Sequence, residues 1–511
     1  MAGRKAVKSA VRATRSIAGA GRRRRAGGAG AGRKLLLGSK LRSLRRERDM
    51  SQVELARRLG ISASYLNYIE HNQRAVTADL LLRLVQVFGS DLSSFTPEDE
   101  ARLHAELAEM FGDPLFKSYD LRSSDIEEVA SSSGSMGRAI LALYRAWRAA
   151  REDRQAEAVL GPGSGAPTTI GRPPPEDDVS DFVQDNLNHF PELELAAEQL
   201  ARDADLASGD IDRHLVEYLG RVHRVRVDVV PSDLARSMVR RYDPSERRLL
   251  LSEVLPPRSR SFQLAHQIAL LGFRPVMDRY LAQGRLAGPD SEVLARIALA
   301  NYFAGAVLMP YDAFLSAARS VRYDIELLGH RFRTSFEQVC HRLTTLQRPG
   351  ATGIPFHMIR VDIAGNISKR FSASGIRFAR YSGSCPRWNV HTAFLSPGFI
   401  RTQLSAMPDG TAYFCMARTV RKEGGGFHVP QSRLAIGLGC EIRYARELVY
   451  ADGFDLSHLE AAVPIGVTCR LCERMDCRQR AFPPLQHGLS VNENIRGLSF
   501  YVSPAPPDPG S

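Results

Sequence analysis

Cys469, Cys472 and Cys477 stand within nine residues, spaced C-x2-C-x4-C. Thiolates at that spacing can converge on one metal ion or cluster, and three soft sulfur donors suit zinc or iron–sulfur equally. Arg470, Arg474 and Arg478 alternate with them and offset their charge. The fourth ligand stays open among Cys385, Cys440, His391 and His458. All seven cysteines lie beyond residue 339, and an odd number so placed argues against a secreted disulfide framework.

A second group of residues surrounds His266. The helical stretch Ser261–Leu270 and the segment Asn301–Pro310 together resemble the ImmA/IrrE metallopeptidase-like domain. That resemblance implies an H-E-x-x-H helix, in which two histidines at i and i+4 hold zinc and the glutamate is the general base. His266 keeps the first position. Gln267 cannot take a proton and Leu270 cannot bind metal, so no catalytic residue is assigned and the chain is not expected to be an enzyme. The space of the lost site is then an expected effector pocket, with Arg240, Arg241, Tyr242, His266 and Tyr302 as its residues and Arg248 nearby. Arginines there suit the phosphates of an acidic ligand. The alternative reading, a metal-dependent peptidase acting on a repressor, is opposed by Gln267 and Leu270.

A third group is built for DNA. Ser51-Gln-Val-Glu54 is a capping box that opens a helix, and Gly60 permits the left-handed turn that ends it. Ser62 caps a second helix, Ala63–Glu70. Leu66 and Ile69 must point inward, which turns Ser64, Asn67, Tyr68 and His71 outward at 100° per residue. Leu80, Leu81, Leu84 and Phe88 supply a packing helix. Two short helices about a glycine turn form a helix-turn-helix, whose second helix enters the major groove. Gln52, Ala56, Gly60, Ser62, Ile69 and Glu70 resemble the Cro and phage-repressor (XRE) class. Position by position, that resemblance implies DNA contacts from Gln52, Ala63, Ser64 and Tyr68. Ala63 offers only a methyl to thymine, Asn67 can read adenine or a phosphate, and Arg42 and Arg74 are phosphate clamps. Such proteins dimerise to gain affinity.

The elements that must position these residues divide the 511-residue chain into several domains. The net charge is +13, but ten lysines or arginines and no acid occupy residues 1–33, so the remainder carries only +3. That tail cannot bury enough apolar surface to fold. The helix-turn-helix domain covers residues 34–95. A helical connector covers 96–160, with Leu103, Leu107 and Phe111 at helical spacing, and a Gly/Pro linker runs over 161–178. The ImmA/IrrE-like effector domain spans 179–347. A cysteine-cluster domain spans 354–502, with alternating strand residues Met358–Ile363 before an Ala364-Gly-Asn366 turn. The expected fold is multidomain, mainly α at the N-terminus and α+β in the middle and C-terminal domains. No apolar run long enough to span a bilayer and no signal peptide are expected, which points to the cytoplasm and to no membrane partner.

The order of these parts resembles the short-chain fatty acyl transcriptional regulators of actinobacteria. The resemblance rests on Gln52 to Glu70, Tyr242-Asp-Pro244, Leu264-Ala-His266, Phe303-Ala to Met309-Pro310 and Ser384-Cys-Pro-Arg-Trp388. It extends through Leu434 to Cys440 and Cys469 to Pro484. It implies an operator-binding homodimer or higher oligomer that controls propionate, acetate or glyoxylate metabolism. It also implies a short-chain acyl-CoA effector at the middle domain and a four-iron iron–sulfur cluster in the C-terminal domain.

Overall fold

The structure is a computed structural model that describes residues 41, 42, 45, 50–70, 74, 80, 83, 84, 87, 97–119, 121, 123–132, 134–160, 174–231, 238–284, 286–380, 383–422 and 431–483. The basic tail, residues 161–173 of the expected linker, His71, Leu81, Phe88 and the C-terminal residues from 484 lie outside the described residues, while residues 175–178, expected as linker, open a helix instead. The chain divides into two compact units, Met1–Phe95 and Thr96–Ser511.

In the first unit, helices α1 (Gln52–Leu59) and α2 (Ala63–Glu70) begin at the expected serines, but only the Ser51 half of the expected capping box forms, because the Glu54 carboxylate accepts from Arg58 at 2.6 Å. Ser51 Oγ accepts from the Glu54 backbone N–H at 3.1 Å, and Ser62 Oγ accepts from that of Tyr65 at 3.1 Å. Gly60 takes φ +66°. A Cβ there would stand 2.9 Å from the movable tip of Arg83, so it is the backbone that favours glycine. Leu55, Ala56, Leu59, Leu66, Ile69, Leu80 and Leu84 share one core.

The second unit opens with α3 (Pro97–Phe111), α4 (Ser123–Ser132) and α5 (Gly134–Leu160). Leu103 and Leu107 of α3 are buried with Ile126, Leu141 and Tyr144, and Phe111 packs against them. The helices α6 (Pro175–Asp185), α7 (Pro191–Asp203) and α8 (Ile211–His223) lead into a small sheet. Its strands β1 (Arg226–Val230), β2 (Arg240–Asp243) and β3 (Arg248–Ser252) are ordered β1-β3-β2, with β1 parallel and β2 antiparallel to β3. Helices α9 (Pro257–Gly272), α10 (Arg274–Gln283) and α11 (Pro289–Leu308) complete this core.

The seam between cores falls inside the expected 179–347 domain. The first core ends at Val307. Met309 and helices α12 (Tyr311–Ser320), α13 (Ile325–Arg331) and α14 (Phe336–Thr344) instead pack on the C-terminal sheet, against Phe356, Met358, Phe414 and Leu438. That sheet contains β4 (His357–Val361), β5 (Ile367–Ser372), β6 (Arg401–Ala406), β7 (Ala412–Arg421), β8 (Arg433–Glu441) and β9 (Val463–Pro464). Its order is β5-β4-β8-β7-β6-β9, antiparallel except for β6–β9. Its other face packs on Trp388, Val390 and Ile465.

One expectation needs correcting. Helix α11 is long and apolar enough, by length and composition, to cross a membrane. Its Ala295, Leu299, Ala300, Phe303 and Ala304 instead form the centre of a protein core, which explains an apolar run at this length.

Candidate DNA interface, cysteine pocket and degenerate peptidase centre

On α2, Ser64, Asn67 and Tyr68 are exposed, Tyr68 to 51 %, while Leu66 and Ile69 are fully buried. Ala63 is half-buried at the start of the helix. The Gln52 side-chain amide donates to Asn67 Oδ1 at 3.1 Å and to Glu70 Oε2 at 2.8 Å. Glu70 is itself buried and accepts a two-pronged pair from Arg45, at 2.7 and 3.2 Å. Burial works against the Glu70 charge, but the bonds from Arg45 and Gln52 hold its carboxyl below the usual value. The expected role of Arg42 as a phosphate clamp is qualified here, because its Nε stands 3.7 Å from Glu70 Oε2 and part of its charge is already met. Arg74 is exposed just beyond α2. Arg45 and Glu70 were not singled out as the frame of the reading helix. The signal that could have found them is an acid at the end of an otherwise apolar face.

The expected effector residues do not converge on one cavity. Arg240 and Tyr242 face inward with Leu249 and Leu251, whereas Arg241 is exposed on the other side of β2, as strand alternation requires. Arg248 lies on the outer face and donates to Asp228 at 2.6 Å. Tyr302 is engaged elsewhere, its hydroxyl donating to Glu194. Arg240 and His266 do meet: the guanidinium donates to His266 Nδ1. His266 is 3 % exposed, and burial together with the Arg240 charge pushes its pKa down to about 3. Burial also lowers Arg240, to about 10. A neutral imidazole keeps one lone pair. Here a fixed cation covers it. With Gln267 and Leu270 in the other two positions, this centre offers no metal ligand set.

Tyr302 belongs to a network across the seam. Arg342 donates to both Glu194 oxygens, at 2.6 and 2.9 Å, and to the Met309 carbonyl at 2.9 Å. Asn188 donates to Thr344 Oγ1 at 2.8 Å beside it. An open groove of about 290 Å³ lies next to this network, lined by Ala197, Ala201, Arg202, Ala306, Tyr311 and Asp312.

In the C-terminal domain, Cys469, Cys472 and Cys477 line one cavity, and Cys385 completes it. Of the four alternatives for a further ligand, only Cys385 is among its lining residues. Cys440 is buried in the core on the other sheet face, and His391 is bonded to Ser384 Oγ at 2.9 Å. The cavity is about 10 Å³, and among the described residues no three ligating side chains yet stand at ion-holding distance. The donor chemistry fits a thiophilic metal: four sulfurs, with the Ala481 backbone N–H donating to Cys469 Sγ at 3.4 Å. Gly466 abuts it, and a Cβ there would stand 3.0 Å from Cys472 Sγ. Arg480 is buried and braces the turn by donating to the carbonyls of Cys469, Cys472 and Arg474. Arg474 ties it to β6 through the Ala406 carbonyl at 3.0 Å.

These three centres define a regulator architecture, and comparison with known proteins agrees. Residues 345–501 match the family described as short-chain fatty acyl coenzyme A regulator, C-terminal. Residues 222–344 match the IrrE N-terminal-like domain, and 41–95 match the helix-turn-helix family. The HTH-type transcriptional regulator RamB of Mycobacterium tuberculosis is 40% identical over 480 residues, 92% of this chain and 99% of that one. PrpR of the same organism is 40% identical over 473 residues, 91% of this chain and 95% of that one. The propionyl-CoA carboxylase regulator of Cereibacter sphaeroides is 41% identical over 469 residues, 92% and 98% of the two chains. A solved structure titled Mycobacterium tuberculosis transcriptional regulator is 42% identical, with a TM-score of 0.62, over 65% of this chain and all of that one. The chain belongs to the short-chain fatty acyl coenzyme A regulator family.

Proposed function

We propose that this protein is a sequence-specific transcription regulator of short-chain acyl-CoA metabolism, binding operator DNA as a homodimer or higher oligomer. The observation that carries the reading is the outward Ser64, Asn67 and Tyr68 face, with Asn67 held by Gln52. A polar face on a capped, rigidly packed second helix suits base-edge readout in the major groove. Footprinting on genomic fragments recovered with the protein tests it. Replacing Ser64, Asn67 and Tyr68 together with alanine abolishes protection; unchanged protection removes the proposal.

The effector is a short-chain acyl-CoA. In support, Arg241 stands exposed on the outer face of the small sheet, where its guanidinium suits a phosphate, beside Arg226 and Arg248, which share Asp228. Such a ligand changes operator affinity only by binding the two forms unequally. Titration with propionyl-CoA or acetyl-CoA is expected to shift both operator affinity and melting temperature. A null result in both removes the effector.

Cys385, Cys469, Cys472 and Cys477 hold the cofactor, a four-iron cluster or, as the alternative, zinc. When bound, the group supplies a crosslink between residue 385 and the turn at 469–477, and an iron cluster adds redox sensitivity. The cavity as it stands has room for about one ion. A cluster requires the 469–477 turn to open. Visible absorbance and metal analysis of anaerobically purified protein distinguish the two.

Peptidase activity is disfavoured for this chain by the covered lone pair of His266 and by Gln267 and Leu270.

A further inference from the structure

Arg380 closes a junction between three segments that are far apart in sequence. Its backbone N–H donates to both carboxylate oxygens of Glu109, at 2.9 and 2.8 Å. Its guanidinium pairs with Asp181, at 3.0 Å through Nη1, and with Glu106 at 3.0 Å. The Arg380 side chain is only 9 % exposed. Glu106 and Glu109 share a face of α3, three residues apart, and Asp181 lies on α6. Arg380 belongs to the C-terminal domain, beyond β5. Three carboxylates thus gather about Arg380, its guanidinium meeting Asp181 and Glu106 and its backbone N–H meeting Glu109, while Arg145 also pairs with Glu106 at 2.8 Å.

The same strip makes further bonds to α6. Gln184 accepts from the Ser372 N–H at 3.1 Å and donates to its carbonyl at 2.8 Å, and Arg370 pairs with Asp177. The strip is also fastened at its other end. Cys385, five residues past Arg380, lines the cysteine pocket, and its N–H donates to the Val467 carbonyl at 3.1 Å. Ile376, Cys385 and Ile465 lie in one core. The other partner, α3, directly follows the unit that contains the helix-turn-helix.

We propose that Arg380 is the coupling residue between the cysteine pocket and the connector helix, so that metal occupancy at Cys385 sets how firmly α3 is held. This rests on the reading of the pocket as a metal site. A metal bridging Cys385 to the 469–477 turn would add a second restraint to residue 385, beside the bond to the Val467 carbonyl. Five residues of chain span no more than about 18 Å, so residues 380 and 385 stay close enough for a change of order at one to be felt at the other. With the bridge gone, residue 385 keeps only the Val467 bond and its core packing, and the clasp on Glu106, Glu109 and Asp181 loosens.

The test is hydrogen exchange on the full chain, loaded with zinc or anaerobically reconstituted with iron and sulfide, against the chelator-stripped protein. In the wild type, amides of Pro97–Phe111 exchange about tenfold faster once the metal is removed. In Arg380→Gln they exchange fast in both states, while metal per chain is unchanged because Arg380 is not a ligand. Should Arg380→Gln fail to fold, Glu109→Gln is expected to give the same decoupling. Equal α3 protection in loaded and stripped wild type overturns the proposal, as does a wild-type difference retained in the variants. If the chain takes up no metal, the cofactor reading fails by itself, and Cys385→Ala is compared with Cys477→Ala. Faster α3 exchange in Cys385→Ala alone then keeps the coupling without the metal, and exchange equal to wild type in both removes it.

Discussion

Arg342 reaches across the seam between the two cores and grips Glu194 through both of its terminal nitrogens, at 2.6 and 2.9 Å. Both side chains are buried, so neither charge has water to fall back on. Replacing Arg342 with methionine leaves Glu194 uncompensated and is expected to destabilise the second unit by about 3–5 kcal/mol, read as a lowered denaturation midpoint. Replacing both residues with apolar ones of similar volume restores much of that loss. Burial raises the Glu194 carboxyl, but Arg342 and Tyr302 more than reverse this and hold it below its ordinary 4.5. The pair's contribution is therefore complete above pH 4.5 and fades as pH falls through the depressed value.

Gln52 touches Asn67 rather than lying free beside it. Gln52→Ala is expected to weaken operator binding by about 1–3 kcal/mol, through the lost contact and a freed Asn67. Melting temperature should fall as well, since Gln52 also donates to the buried Glu70 carboxylate, though Arg45 still pairs with it. An equal loss of affinity on random and operator DNA would instead make Gln52 a backbone contact.

Three histidines, His266, His341 and His357, are pushed down to about 3, chiefly by burial. Arg240 adds to the effect at His266, and Lys369, Arg342 and Arg360 at His341. Unfolded, each takes a proton near its ordinary 6.5; folded, each does so only near 3. Stability therefore declines as pH drops from 6.5 toward 3, by about 1.4 kcal/mol per pH unit for each histidine. Equilibrium unfolding between pH 7 and 5 should show this slope, and His266→Gln should flatten it by one histidine's share.

Cys385→Ser is expected to lower bound metal as far as Cys469→Ser does, while Cys440→Ser leaves it unchanged. Elemental analysis of the three variants decides the ligand set. The Cys440 thiol sits in the opposite core, where burial raises its pKa.

Gly439→Ala tests the packing of the large sheet. A Cβ at residue 439 would stand 2.5 Å from His357 Nε2 and 2.9 Å from the Phe414 carbonyl. His357 is held by Ser374 Oγ at 2.8 Å and has no room to retreat. A loss of about 1–3 kcal/mol is expected in chemical denaturation.

The helix-turn-helix was legible because its signals are local. Ser51, Gly60 and Ser62 act within one turn of their own positions, and alternation of Leu66 and Ile69 with Asn67 and Tyr68 fixes the outer face. The β4–β5 hairpin was legible for the same reason, through Asp362 to Asn366. Cys385 could only be one of several alternatives, since 84 residues separate it from Cys469 and only the sheet brings them together. The adjacent Arg240 and Arg241 read as one basic cluster until strand alternation put them on opposite faces. Tyr302 lies on a helix near His266 in sequence terms, yet helical rotation carries it to Glu194. Arg380 left no mark at all, because its three partners come from helices more than 190 residues upstream.

The guanidinium that covers His266 is part of the polypeptide and cannot be chelated, exchanged or starved. That cover is therefore the same whatever the trace-element supply of its surroundings. With the cation built into β2, the contact between the small sheet and helix α9 is as permanent as the chain itself.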